Sequence, residues 1–177
     1  KNPTKVGTND VYQENTFSGL SSFKFSTITG TPKVGEKIEQ IVANGTGKAF
    51  GYVASYDIET KVLKYFRDRS LFYNQTVFNQ RDYAGISTNG RPYDFESSSN
   101  VISGNSSNFS AAIDTAFAGI TTNPTGTKLI NLGVDFTSGM AVPEINKGSG
   151  ELIYLDNRAS IARNARQKED LKIILEF

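Results

Sequence analysis

The chain has 177 residues, enough for one domain with a sizeable core or for a domain carrying a smaller insertion. It contains no His and no Cys, which excludes Ser-His-Asp triads, Cys-His dyads, thiolate zinc sites and disulfide frameworks. Lys+Arg 19 against Asp+Glu 18 leaves a net charge of +1, too small a surplus for binding nucleic acid by phosphate neutralisation, and no apolar run reaches the ~20 residues of a membrane span.

Ser, Thr, Asn and Gly make up more than a third of the chain, while hydrophobic residues are 37% with 12 Phe and 8 Tyr among them. Large rings build a core from few positions, so this mixture predicts short strands joined by long turns. The expected class is mainly β: an antiparallel, sandwich-like domain with an inserted small barrel-like module and little helix.

Residues 1–19 are polar, are broken by Pro3, Gly7 and Asn9-Asp10, and read as an arm. Lys1 is not an initiator Met, so the sequence is expected to be a piece of something longer. Leu20–Ile28 is the first strand, with Phe23 and Phe25 two apart on one face. Residues 33–82 then read as a separately packed β module inserted into a main domain formed by 1–32 and 83–177. Within it, Val34–Ile41 is a strand and Asn44–Gly47 a turn, while Ala49–Tyr56 and Lys61–Phe66 form a hairpin around Asp57–Thr60.

Residues 83–108 are rich in Gly, Ser and Asn and read as surface loop, with Val101-Ile102 a brief strand. Phe109–Ile120 fits a helical stripe or a strand, and its neighbours favour strand. Lys128–Leu132 and Val134–Thr137 read as extended, with Gly133 a bulge or kink between them. Beyond the Gly148–Gly150 turn, Glu151–Asp156 and Leu171–Phe177 carry the densest apolar runs, which predicts central strands joined by a polar, helix-forming connection.

Candidate chemistry is sparse. Ala43–Ala49 superficially suggests a phosphate loop, but Val42 and Ala49 stand where the leading Gly and the magnesium-binding Ser or Thr belong, so a hairpin turn is expected. The pairs Asp94/Glu96 and Asp57/Glu59 have the spacing of an acid–base couple in an extended strand, yet no surrounding motif sets them apart from loop acids. The Asn-x-Ser/Thr triplets at Asn44, Asn74, Asn105 and Asn108 match chance in so Asn- and Ser-rich a chain. No catalytic residue, cofactor or metal site is expected. Asp156, Arg158, Arg163, Arg166, Lys168, Glu169, Asp170 and Lys172 interleave their signs as either a solvated helix or a subunit interface would.

The tail is more specific. It runs Ser149-Gly150-Glu151-Leu152-Ile153-Tyr154-Leu155-Asp156-Asn157-Arg158, then Gln167-Lys168-Glu169-Asp170, then an apolar run ending at Phe177. This closely resembles the C-terminus of the baseplate wedge protein family encoded by gene eight of T4-like contractile-tailed phages. The Gly-Tyr-Val-Ala-Ser-Tyr-Asp and Val-Leu-Lys-Tyr segments are similar in flavour to marine cyanophage members. Two departures stand out: Ala159-Ser160 replaces a Pro often found after Asn-Arg, and the N-terminus is expected to be truncated, leaving the sheet and any dimer contacts incomplete.

The resemblance implies a non-enzymatic virion protein of the tail baseplate, assembled in the host cytoplasm. It implies binding to other wedge proteins and homodimerisation in the full-length protein. The family motif falls on Gly150, Glu151, Tyr154, Asp156, Asn157, Arg158, Gln167, Glu169, Asp170 and Phe177. Gly150, Tyr154 and Phe177 are expected to serve the fold, and Asp156, Arg158, Glu169 and Asp170 a contact or a loop-holding bridge. The rival reading is a glycan- or receptor-binding β domain of a tail fibre or adhesin.

Overall fold

The computed structural model describes residues 2–13, 17–72, 83–98, 100–146 and 148–151. Among the described residues nine strands follow one another: β1 (Ser21–Thr29), β2 (Lys37–Val42), β3 (Gly47–Asp57), β4 (Val62–Phe66), β5 (Ile102–Gly104), β6 (Ser110–Ile113), β7 (Gly119–Thr122), β8 (Ile130–Phe136) and β9 (Met140–Ala141). Among the described residues there is no α-helix, only short 3₁₀ turns. The mainly β, antiparallel expectation holds.

Local sequence explains the hairpins. Asp57 ends β3 and its carboxylate accepts hydrogen bonds from the Glu59 and Thr60 amides, at 2.8 and 3.1 Å. Such an Asx turn reverses the chain. Asp57 then pairs with Val62, and Tyr56 with Leu63, as the alternating apolar pattern requires. Val42 pairs with Gly47 around the Ala43–Gly45 turn, so the segment that superficially resembled a phosphate loop is the β2–β3 hairpin turn.

Six strands close into a barrel in the order β4-β3-β2-β5-β6-β1, because β1 also pairs with β4. The order β1-β4-β3-β2 is a Greek key. Strand β1 achieves closure by dividing its length. Ser21–Lys24 pair with β4, whereas Phe25–Thr29 pair with β6, with a bulge between Phe25 and Thr27. The bulge changes the in–out parity, so Phe23, Phe25 and Ile28 all pack on the interior despite the odd spacing. A second bulge, between Val53 and Ser55 of β3, does the same for Ala49, Val53 and Tyr56.

The expected boundary at 33–82 therefore does not separate two packing units. Strands β2–β4 are three staves of the barrel, and β1, β5 and β6 from the flanking segments are the other three. One core holds Ile38, Val53 and Leu63 together with Phe25, Ile102 and Phe109. Alternating strands of both segments carry apolar residues inward, and burying them together removes more surface from water than two smaller barrels could.

The segment 93–98 also departs from the surface-loop expectation. Phe95 is buried and meets Phe23 and Tyr65 edge-on, each at 5.0 Å between ring centroids, while Phe23 and Tyr65 stack at 4.4 Å. Gly51 permits this: a Cβ there would sit 3.0 Å from the Tyr65 ring and 3.4 Å from that of Phe95. Gln40, fully buried in β2, holds the backbone of this plug. Its amide nitrogen donates to the carbonyls of Glu96 (2.9 Å) and Asn100 (3.0 Å), and its oxygen accepts from the Glu96 amide (2.8 Å). Burial pushes the Tyr65 hydroxyl pKa up, opposed by a hydrogen bond with Ser21.

Strands β7 and β8 form a separate two-stranded sheet. Its apolar side, with Leu132, Val134 and Phe136, packs with Phe117, Val62 and Ala141. Gly133 takes φ 73 within β8, in the stretch where the β7–β8 register shifts, which is the irregularity expected there as a bulge or kink. Strand β9 pairs onto the edge of β1 at Ser22 and Phe23, and the second cluster covers the outer face there, with Lys24 Nζ 5.5 Å from the Phe117 ring centroid; Ser22 and Lys24 are accordingly buried. The arm is pinned by bridges Thr4–Val11 and Lys5–Ile145, and by Phe17, buried edge-on to Tyr12 at 5.2 Å.

Phe95→Ala should destabilise the protein by about 3–5 kcal/mol, the cost of emptying a buried aromatic site. Equilibrium urea denaturation measures it; a change within ±0.5 kcal/mol, the surface range, would return residues 93–98 to an ordinary loop.

Candidate functional site

After β4 the chain leaves the barrel and packs across the outer face of β3. Phe50 anchors this excursion. Its ring points outward from β3 yet is buried, with Lys37 Nζ 3.7 Å from its centroid on one side and Phe72 at 6.4 Å on another. The Tyr83–Gly85 turn lies directly against it, since a Cβ on Gly85 would approach the Phe50 ring to 2.5 Å. Leu71, buried in the Arg69–Phe72 turn, supplies a second apolar anchor.

Between the 67–72 segment and the 86–94 segment lies an open groove of about 640 Å³. Phe72, Ile86 and Pro92 give it apolar walls, and Arg67, Arg69 and Arg91 bring three guanidiniums to it. That volume falls within the usual range of ligand clefts. Arg67 is fixed: one terminal nitrogen donates to Asp94 at 2.6 Å, the other to the Tyr93 carbonyl, and the guanidinium carbon lies 5.5 Å from the Phe72 centroid. Its Nε is buried without a partner among the described residues. Asp94 is 90% exposed, so the ion pair contributes no more than about 1 kcal/mol and serves mainly to orient Arg67.

Arg91 sits on a tight reversal. The Ser87 amide donates to the Arg91 carbonyl at 2.8 Å, Gly90 donates to Ser87 at 2.8 Å, and Ile86 bridges to Pro92. Asp68 holds the opposite wall by accepting from the Ser70 amide at 2.7 Å. Arg69 and Arg91 are exposed, and among the described residues neither enters an ion pair.

Three of the four carboxylates that suggested acid–base spacing are engaged in holding loops. Asp94 binds Arg67, and Glu96 accepts from the Ala43 amide at 3.1 Å. Asp57 caps the β3–β4 turn, with Glu59 exposed beside it. Of the tail motif, Gly150 and Glu151 are exposed at the end of the described chain. Tyr154, Asp156, Asn157, Arg158, Gln167, Glu169, Asp170 and Phe177 lie outside the described residues, as do the strands expected at Glu151–Asp156 and Leu171–Phe177 and the expected Arg158–Asp170 bridge. The motif's leading Ser149 is tied to the arm: its hydroxyl accepts from the Thr4 amide at 2.8 Å and donates to the Asn146 carbonyl at 2.7 Å.

Sequence reasoning missed the groove. Arg67-Asp68-Arg69 and Arg91 are distant in the chain, and only the packing of both excursions on Phe50 joins them. The available signal was a cluster of arginines beside Phe72 and Pro92 in otherwise polar loops.

Two charged groups are unusually placed. Glu36, buried just before β2, accepts from the Lys33 amide (2.6 Å), the Ser106 and Ser107 amides (3.2 and 3.0 Å) and both serine hydroxyls (3.0 and 2.7 Å). Burial raises its pKa, but these donors outweigh burial and hold the carboxyl below its ordinary 4.5. Gly104 makes the approach possible, since a Cβ there would lie 2.6 Å from the Glu36 carboxylate. Burial pushes Lys24 down, against the nearby Asp114 carboxylate, which raises it.

No protein-family model, no curated protein and no solved structure matches this chain.

Because the Glu36 pKa is depressed in the folded state, its contribution to stability is complete above the unfolded value and is lost as pH falls through the folded one. Glu36→Gln should cost about 1–3 kcal/mol at neutral pH through donors left unsatisfied. It should also flatten the loss of stability below about pH 4.5, where the wild-type carboxylate protonates. Denaturation midpoints at pH 7 and pH 3 check both; parallel pH profiles for the two proteins would remove Glu36 from the acid response.

Proposed function

We propose that this chain is a structural component of a contractile-tailed phage baseplate wedge, acting by protein–protein assembly without a catalytic role. The observation that carries the reading is the closing sequence pattern, from Ser149-Gly150-Glu151 through Asp156-Asn157-Arg158 and Gln167-Lys168-Glu169-Asp170 to Phe177. Its residue types, order and spacing resemble those of the T4-like wedge protein encoded by gene eight. The antiparallel β fold is compatible with that family. The commitment of Asp94, Glu96 and Asp57 to loop contacts supports a role in binding over one in acid–base chemistry.

The assignment places the protein in the virion baseplate, with the other wedge proteins as partners and a homodimer as the assembling form. Arg and carboxylate groups of the tail would fix register by two-pronged hydrogen bonds.

Co-expression with the wedge proteins of the same phage genome, followed by affinity purification and electron microscopy, tests the reading. The expected result is stoichiometric co-purification, reduced for Arg158→Ala at an unchanged melting temperature and unaffected by Lys128→Ala, an exposed control. Failure to co-purify, together with saturable binding in a glycan screen, would transfer the protein to the receptor-binding class.

A further inference from the structure

We infer that the groove between the 67–72 and 86–94 segments is a docking site for a short acidic segment of a partner protein that carries an apolar side chain between its carboxylates. Three features of the groove point to this occupant. Its walls at Phe72, Ile86 and Pro92 offer apolar surface to an aliphatic or aromatic side chain. Arg69 and Arg91 present exposed guanidiniums that enter no ion pair among the described residues. Arg67, held by Asp94 and the Tyr93 carbonyl, adds an oriented guanidinium whose charge Asp94 offsets.

Charge complementarity therefore selects a carboxylate-bearing ligand. Guanidiniums bind carboxylates through paired hydrogen bonds, which adds direction to the attraction. Of the two acids lining the groove, Asp94 offsets Arg67 and Asp68 is turned to the Ser70 amide and hydroxyl, so three arginines against two aspartates leave the described lining a net charge of +1. Among the described residues the lining consists of charged and apolar side chains and one glycine, which suits a peptide carrying carboxylates and an apolar side chain.

The inference stands on the groove and not on the tail motif, so the two readings fail separately. The wedge assignment can be lost while the groove still binds an acidic peptide, and the reverse.

The probe is a short fluorescein-labelled peptide with a central leucine–phenylalanine pair flanked by aspartates, titrated with the full chain and followed by fluorescence anisotropy. Saturable binding is expected, weakened about tenfold or more by Arg69→Gln combined with Arg91→Gln, and weakened further by raised salt. Both substituted residues are exposed, so the melting temperature should not change, and Lys128→Gln should leave binding intact. A peptide with lysines in place of the aspartates should not bind, and one with serines in place of the apolar pair should bind more weakly. The inference is overturned if the acidic peptide does not saturate, or if the double variant binds it as wild type does. It is equally overturned if loss of the apolar pair has no effect, leaving only a charged surface. Tighter binding of oligogalacturonate than of the peptide would overturn it in favour of an anionic glycan.

Discussion

Strand β1 must serve two neighbours along one edge and a third along the other, and the barrel exists only because it can. Its first four residues pair with β4, its last five with β6, and β9 continues the β6 edge beside Ser22 and Phe23. A regular strand alternates its side chains strictly, so Phe23 and Phe25 would force Ile28 to the outside. The extra residue at Ser26 resets that alternation and bends the strand toward its second partner. The matching bulge in β3 coils the opposite wall. With both in place the sheet closes and its backbone donors and acceptors find partners, which removes the open edges that invite aggregation.

Closure leaves the ends of a short-stranded barrel to be filled, and polar residues do much of the holding. Three contacts gather around β2. Glu36, just before it, clasps the β5–β6 turn; Gln40, within it, binds the backbone at Glu96 and Asn100; the Ala43 amide, just after it, is bound by Glu96. A buried amide or carboxylate is tolerable only when its hydrogen-bonding capacity is met, and here the contacts position Phe95 against Phe23 and Tyr65. The plug and the clamp are therefore one device: without Gln40 the segment bearing Phe95 would lack its backbone partners.

What was legible in the sequence follows from range. The β1 strand, the β3–β4 hairpin and the kink at Gly133 depend on neighbours in the chain, where alternation and turn residues carry the information. The β1–β4 pairing that merges 33–66 with the rest depends on residues some forty positions apart, and no local pattern announces it. Phe95 is hidden between Asp94 and Glu96 in a run that reads as solvated loop, and Gln40 and Glu36 are hidden by their own polarity. The groove is illegible for the same reason, since Arg67 and Arg91 meet only through the shared anchor of Phe50. Of the tail motif, the structure describes Gly150 and Glu151, and the remainder is read from residue order alone.

The near-zero net charge conceals an unequal division between acids and bases. Glu36, Asp57, Asp68, Asp94 and Glu96 each bind a backbone amide or a guanidinium and so fix turns and loops. Arg69 and Arg91 are exposed at the groove. A molecule with a net charge of +1 exerts little long-range pull on a partner, and screening confines what there is to about 8–10 Å. Selectivity at the groove must then come from the direction of short-range hydrogen bonds and from apolar fit, not from electrostatic steering. A recognition surface of that kind gains little from diffusional capture. It suits partners already brought close by other contacts.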